Sequence, residues 1–266
     1  MESSRLVTVF RWKQQQSESC DDQIAAEVPV ALTYNKTSHV VMMATPEYLE
    51  DFAIGFSLTE GIISAPDDLL ATQLIPRENG LEVAMTITEE RYSRLREQRR
   101  NLVGRTGCGL CGAESLEQAI RPPPAVNSRV SVDSIALQNA VADLEAHQPL
   151  QRLTGAVHGA AWCDLAGEIQ VLREDAGRHN ALDKLIGHLC RSGFDASNGF
   201  ALISSRASYE MVYKAAAAGI EVLVAVSAPT TLAVDIANRS GITLVGFARP
   251  GRHNIYTFEG RIHDSL

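Results

Sequence analysis

The chain is short of the features that mark several protein classes. It has five cysteines in 266 residues, three of them isolated (Cys20, Cys163 and Cys190), so a disulfide-stapled scaffold is excluded. Its first apolar stretch, Leu6 to Phe10, is too short for a secretory signal. The expectation is therefore a reducing, cytoplasmic setting. Basic residues are outnumbered 24 to 32, and the net charge of −8 argues against nucleic acid or an anionic membrane as a bulk partner. Glycine (19) and proline (10) are too ordinary in number for a disordered or fibrous chain. No long hydrophobic run exists. The most apolar window, Ala215 to Val234, is broken by Glu221 and Pro229 and reads as helix end, strand, turn and helix rather than a membrane span. No internal repeat is found.

What is present is enough apolar sequence, 45%, to build a core in one or two domains. Leu6 to Trp12 reads as a strand followed by a polar loop, Gln14 to Gln23. Val28–Tyr34 and His39–Ala44 read as one hairpin, and Leu70–Ile75 with Leu81–Thr88 as another around the Asn79-Gly80 turn. Between them, Pro46 and Gly61 bracket an apolar-periodic helix. Thr88 to Arg100 predicts an exposed helix leading into a glycine-rich stretch, and Pro122-Pro-Pro124 predicts a stiff spacer. The boundary falls there: an N-terminal α+β domain over 1–124, carrying a C-x-x-C loop at 101–113, and a second domain over 125–266. In the second, a helix capped by Ser131 or Asp133 runs to about His147. A hairpin (Ala156–Cys163, Glu168–Leu172) follows. Helices at Asn180–Arg191, Tyr209–Ala218 and Thr231–Asn238 then alternate with strands at Phe200–Ile203, Glu221–Val226 and Ile242–Phe247, and a last strand lies near Asn254–Phe258. This alternation predicts a three-layer α/β domain on a mostly parallel sheet, within a chain that is α+β overall.

The paired thiols Cys108 and Cys111 lie in Gly104-Arg-Thr-Gly-Cys-Gly-Leu-Cys-Gly112, where four glycines in nine positions oppose regular structure. Arginines 91, 94, 96, 99, 100 and 105, opposed only by Glu97, would favour the thiolate, or dock an anionic partner. Metal capture lacks a second ligand pair, so no metal site is expected. A thioredoxin-type pair would need a helix starting at the first cysteine, whereas here a helix precedes the loop.

Four further clusters follow strands of the second domain, at the carboxyl ends where α/β sheets place ligands. They are Glu174-Asp-Ala-Gly-Arg-His-Asn-Ala-Leu-Asp-Lys184, Ser204-Ser-Arg-Ala-Ser-Tyr-Glu210, Ser227-Ala-Pro-Thr-Thr231 and Gly246-Phe-Ala-Arg-Pro-Gly-Arg252. Read singly, most are helix caps. Read together, they predict a pocket in which Arg178, His179 and Arg206 meet an anion. In the last cluster Phe247 stacks on a base while Arg249 and Arg252 grip phosphate. Neither G-x-x-x-x-G-K-[ST] nor G-x-G-x-x-G occurs.

Together with Glu27-Val-Pro-Val-Ala31, Ser38-His-Val-Val-Met-Met43 and Phe52-Ala-Ile-Gly-Phe-Ser-Leu-Thr-Glu-Gly-Ile-Ile63, these segments resemble the formate dehydrogenase accessory sulfurtransferases, the FdhD family, nearly end to end. Ala176 is a visible departure, at a position where the family often has valine. The resemblance implies a sulfur carrier, a sulfurtransferase that accepts persulfide sulfur from a cysteine desulfurase. It would pass that sulfur to the molybdenum cofactor, as bis-molybdopterin guanine dinucleotide, before insertion into formate dehydrogenase. Cys108 would carry the persulfide and Cys111 assist. The family's cofactor segment maps onto Phe247, Ala248, Arg249, Pro250, Gly251 and Arg252. No cofactor is held permanently, and a guanine nucleotide would act as a mimic. The resemblance further implies a homodimer and a C-terminal domain similar to the cytidine deaminase fold. The H-x-E and P-C-x-x-C zinc signature of deaminases is absent, so their chemistry is not carried over. Three rival readings stand beside it: a non-catalytic cofactor-binding chaperone, a zinc- or iron–sulfur-binding interaction module, and a thiol–disulfide oxidoreductase.

Overall fold

The computed structural model describes residues 1–100, 122–127 and 129–264. It opens with a two-stranded ribbon, β1 (Ser4–Lys13) and β2 (Gln16–Ala25), paired in antiparallel register along their whole length. The sequence reads Gln14 to Gln23 as a polar loop, whereas most of that stretch belongs to β2. The ribbon turns on Gln14 and Gln15, both at positive φ (50° and 65°), in the sense that matches strand twist, although neither is a residue that usually marks such a turn.

A four-stranded sheet follows, in the order β4-β3-β6-β5, built from β3 (Val28–Tyr34), β4 (Thr37–Ala44), β5 (Leu69–Arg77) and β6 (Gly80–Ile87). Period-two alternation sends Val30, Leu32, Tyr34, Val83, Met85 and Ile87 to one face. There they pack on Phe52 and Phe56 of helix α1 (Leu49–Thr59) and on Leu95 of helix α2 (Glu89–Arg100). The opposite face carries Pro29, Ala31, Val41 and Met43.

The second sheet has six strands in the order β13-β12-β11-β10-β8-β9. They are β8 (His158–Asp164), β9 (Ile169–Asp175), β10 (Gly199–Ile203), β11 (Val222–Ala225), β12 (Thr243–Arg249) and β13 (Arg252–Ile255). Helices α5 (Arg178–Ser192), α6 (Tyr209–Ala217) and α7 (Thr231–Ser240) cover one face, and α3 (Ser134–Asp143) covers the other. Consecutive residues of β10 divide between the two layers, Ala201 and Ile203 to one and Phe200 and Leu202 to the other, which is why this strand is apolar without alternation. The result is the three-layer α/β arrangement expected, within a mixed α+β chain. The sheet is less parallel than expected. Only β10–β11 and β11–β12 pair in parallel, while β8–β9, β8–β10 and β12–β13 are antiparallel. A parallel core of three strands, β10 to β12, is flanked by the β8–β9 hairpin on one side and by antiparallel β13 on the other.

Smaller differences are local. The helix capped by Asp133, whose carboxylate accepts from Ile135 N, ends at Asp143 rather than near His147. The last long strand is β13 rather than Asn254–Phe258. A short helix, α4 (Pro149–Thr154), and a two-residue pairing of β7 (Val132–Asp133) with β14 (Ile262–His263) were not foreseen.

The two sheets are joined through α1 and α5, which cross backbone on backbone. A Cβ at Gly55 would lie 1.8 Å from the Asp183 carbonyl oxygen, and one at Gly187 would lie 1.8 Å from the Asp51 carbonyl oxygen. Beside this crossing, buried Asp51 accepts from Arg173 Nε (3.1 Å) and Nη2 (3.0 Å) and from Arg191 Nη1 (2.9 Å).

Candidate functional site

Because β8 runs against both β9 and β10, the strands β9, β10, β11 and β12 all point the same way. Their four following loops therefore gather on one edge, as the sequence predicts. Backbone hydrogen bonds stitch these loops to one another and to the neighbouring strand ends. Phe247 N donates to Ser227 O (3.1 Å), Ala207 N to Ala228 O (3.2 Å), and Ser204 N to Gly159 O (2.9 Å).

At one end of the edge lies the hairpin joining β12 to β13. Its register breaks between Gly246 and Arg249, and Phe247 sits at φ 50°, an uncommon conformation for a bulky side chain. The bulge turns the Phe247 ring outward, 39% exposed, while Ala248 is fully buried in the core beneath. Of the six predicted residues here, Ala248 therefore anchors the hairpin and offers no side chain to a ligand. Gly246 is required by contact, since a Cβ would meet the Pro229 ring at 2.7 Å and the Tyr256 ring at 3.0 Å. Pro250 and Gly251 make the turn, Gly251 at φ 81°. The turn is held by Gln138 of α3, whose Oε1 accepts from Gly251 N (2.8 Å) and whose Nε2 donates to His253 Nδ1 (3.0 Å). Burial lowers the His253 pKa, in keeping with a neutral ring that accepts at Nδ1. Gln138 and Tyr256 carried no signal in the sequence, because their roles arise only from packing.

Arg249 and Arg252 are register partners, exposed and directly opposite on adjacent strands. Their Cβ atoms are therefore about 4.5–5.5 Å apart, a like-charge juxtaposition that is destabilising by itself. Among the described residues no carboxylate forms an ion pair with either. Two guanidinium forks beside an outward aromatic ring suit an anion attached to a flat base.

At the other end, Arg178 and His179 open α5. Arg178 Nε is buried and has no hydrogen-bond partner among the described residues. His179 Nε2 lies 2.8 Å from Glu210 Oε2, and this contact holds the Glu210 carboxyl below the usual carboxylate range. Neighbouring His158, at the start of β8, is pushed below the ordinary imidazole value by burial and by Arg178 and His179. A cavity of about 390 Å³ lined by Gln151, Ala156, His158 and Ser204 opens beside it. Arg206 is exposed on the loop after β10.

The rest of the Glu174–Lys184 cluster is not part of this opening. Glu174 caps α4, accepting from Leu150 N (2.9 Å) and Gln151 N (2.8 Å). Asp175 accepts from Thr45 N (3.0 Å) and Asn180 Nδ2 (3.0 Å), and it meets fully buried Lys184 at 2.7 Å. Lys184 donates to Thr45 O (3.0 Å), and Asp183 accepts from Thr59 Oγ1 (2.9 Å) and Lys214 Nζ (2.9 Å). Asn180 Nδ2 also donates to Met43 O (2.8 Å). Four of the predicted polar residues, Asp175, Asn180, Asp183 and Lys184, thus tie the second sheet to the first lobe, Glu174 holds α4, and only Arg178 and His179 reach the edge.

Cys108, Cys111 and the rest of 101–113 lie outside the described residues. The arginines before them are less free than predicted. Arg91 pairs with Asp68 (2.9 Å) and contacts Ser64, and Arg94 pairs with Glu90 (2.8 Å). Asp68 and Glu90 therefore join Glu97 in opposing that positive cluster.

Residues 25–263 match the model of the FdhD/NarQ family. A protein of Cupriavidus necator named sulfur carrier protein FdhD is 52% identical over 96% of this chain and 88% of its own length. One of the same name from Xanthomonas euvesicatoria is 50% identical over 96% of this chain and 91% of its own. The crystal structure of a Desulfotalea psychrophila protein described as a formate dehydrogenase accessory protein superposes with a TM-score of 0.77. That superposition covers 98% of this chain and all of the other, and at 22% identity it speaks to the fold alone. With its motifs, its sheet edge and its whole-length relatives in agreement, the chain belongs to the FdhD/NarQ family.

Proposed function

We propose that this protein is a cytoplasmic sulfur carrier serving formate dehydrogenase. In this reading the Cys108 thiolate attacks the outer sulfur of a cysteine desulfurase persulfide. A new S–S bond forms on Cys108, the donor's S–S bond breaks, and the donor cysteine leaves as thiolate, so the exchange is redox-neutral. Cys111 assists on the same loop. The acceptor is a molybdenum cofactor bearing guanine dinucleotides, bound as substrate along the carboxyl edge of the second sheet. Phe247 stacks on guanine, Arg249 and Arg252 take phosphate, and Arg178, His179 and Arg206 extend the positive edge.

The observation that carries this reading is the Arg249/Arg252 pair, two like charges held opposite each other beneath an outward Phe247. Such a pair is unfavourable until an anion lies between the forks. The names of the relatives support the sulfur half of the reading.

Incubation with a cysteine desulfurase and cysteine, followed by intact-mass analysis, tests it. The expected result is one added sulfur atom on the wild type and none on Cys108→Ala. Equal loading on Cys108→Ala, or none on the wild type, overturns the carrier assignment; the second result leaves the cofactor-binding chaperone standing. Elemental analysis of the purified protein distinguishes the zinc or iron–sulfur module.

A further inference from the structure

The cavity beside Arg178 is lined by side chains that have hydrogens to give and little to receive them. Gln148, Gln151, His158 and Ser204 surround a volume of about 390 Å³, which opens to solvent at Gly155 and Ala156. Gln148 is only 5% exposed, yet its Nε2 has no hydrogen-bond partner among the described residues. The nearby Glu174 carboxylate feels this amide but is already taken by Leu150 N and Gln151 N. A Cβ at position 159 would lie 2.5 Å from Gln148 Nε2, so Gly159 makes room for the amide where it is.

The other lining groups are biased the same way. The Gln151 side-chain oxygen accepts from Val157 N (3.0 Å), and the Ser204 hydroxyl oxygen accepts from Gly159 N (2.9 Å). These bonds leave an amide NH2 and a hydroxyl hydrogen as what the two side chains can still offer. Arg178, with its own orphan Nε–H, stands close enough to His158 to help lower the imidazole pKa. It is also the first residue of α5, whose N-terminus has no side-chain cap, and the positive end of a 15-residue helix favours an anion. Among the described residues no carboxylate lines the cavity. Buried donors without acceptors are rare and costly in folded proteins. A surplus of donors on one cavity is matched by a ligand that brings only acceptors.

We propose that this cavity is a binding site for a tetrahedral oxyanion, separate from the Phe247–Arg252 hairpin. His158 opens β8, which lies three strand spacings from β12, so the two sites are about 14 Å apart along the edge. That separation suits a second anchor for an extended acidic molecule held at the hairpin. Its use as a second anchor rests on the acceptor reading above, whereas its donors would take such an anion with any acceptor. A phosphate group and an oxo-metal group share the chemistry that the cavity selects.

Calorimetric titration of the full chain with inorganic phosphate and, separately, with molybdate tests this at neutral pH and low salt. At least one of the two should bind, and which one binds identifies the group that the cavity takes. Arg178→Met should weaken that binding by about tenfold or more. Gln148→Met should also weaken it while leaving the melting temperature of the unliganded protein unchanged or higher, because a buried donor with nothing to pair with has been removed. Arg249→Ala should leave oxyanion binding as it is while weakening that of guanosine diphosphate. Binding of neither anion overturns the proposal, and so does affinity unchanged in either Arg178→Met or Gln148→Met. Loss of oxyanion binding in Arg249→Ala places the anion on the hairpin and overturns it too. Oxyanion binding that follows the expected pattern in a protein that takes no sulfur on Cys108 upholds the site and counts against the carrier reading alone.

Discussion

Replacing Arg249 with alanine should move stability and ligand affinity in opposite directions. In the unliganded chain the substitution removes one of two like charges opposed across β12 and β13. Favourable cross-strand pairs are worth roughly 0.2–1 kcal/mol and like charges act in the opposite sense, so relief of the repulsion should stabilise the variant by at most about that much. For a chain of this size each kcal/mol corresponds to about 2–4 °C, giving a rise of roughly 0.5–4 °C in melting temperature. With guanosine diphosphate present the sign reverses. A lost hydrogen bond to a charged group costs about 1.5–3 kcal/mol, which is about 10- to 140-fold in dissociation constant. Thermal melts of the unliganded protein, with calorimetric titration of guanosine diphosphate at low and moderate salt, read both quantities. The affinity difference should shrink as salt screens the exposed guanidinium groups. A variant that melts lower when unliganded, or that binds the nucleotide as tightly as the wild type, refutes the reasoning, because the arginine would then be part of the fold and not of a clamp.

Lys184→Met strands the Asp175 carboxylate, which is itself fully buried, and should cost about 3–5 kcal/mol; adding Asp175→Asn should recover part of the lost melting temperature. Gly187→Ala places a methyl group 1.8 Å from the Asp51 carbonyl oxygen. The overpacking, about 1–3 kcal/mol or more, should exceed the roughly 1 kcal/mol helix-propensity gain of alanine, so differential scanning calorimetry should show a lower transition. His158, His188 and His253 are all held below the imidazole value of 6.5, chiefly by burial. The unfolded chain therefore binds more protons than the folded one just below pH 6.5, and chemical denaturation should show stability falling as pH drops from 6.5 toward 5.5. The raised carboxyls Glu174 and Asp183 act in the opposite sense, because burial makes the folded chain hold their protons more tightly than the unfolded one.

Much of the second sheet was legible because each element carried its own local mark. Gly177, Gly193, Gly241 and Gly251 fall at helix ends or a turn, and Asp133 and Thr230 cap helices with their side chains. The convergence of the four loops was also legible, since it depends only on strand direction. The ribbon was not. Its second strand, Gln-Ser-Glu-Ser-Cys-Asp-Asp-Gln-Ile-Ala, is exposed on most of both faces and so has no alternation to read. The division of labour within Glu174–Lys184 was hidden for another reason. Asp175 finds Thr45 N and Lys184 finds Thr45 O across some 130 to 139 residues of sequence, contacts that no local pattern encodes. Arg178 and His179 stand in the same run and look no different from their neighbours on the page.

The crossing of α1 and α5 also sets limits on motion. Where side chains separate two helices, they can slide or repack and let one layer rock on another. At Gly55 and Gly187 main chain already lies against main chain, so neither helix can press closer or slide far along the other without a clash. The crossing thus fixes the spacing between the four-stranded sheet and the body that presents Phe247 and Arg252. A group delivered to that edge therefore meets a surface whose distance from the four-stranded sheet is set by two glycines.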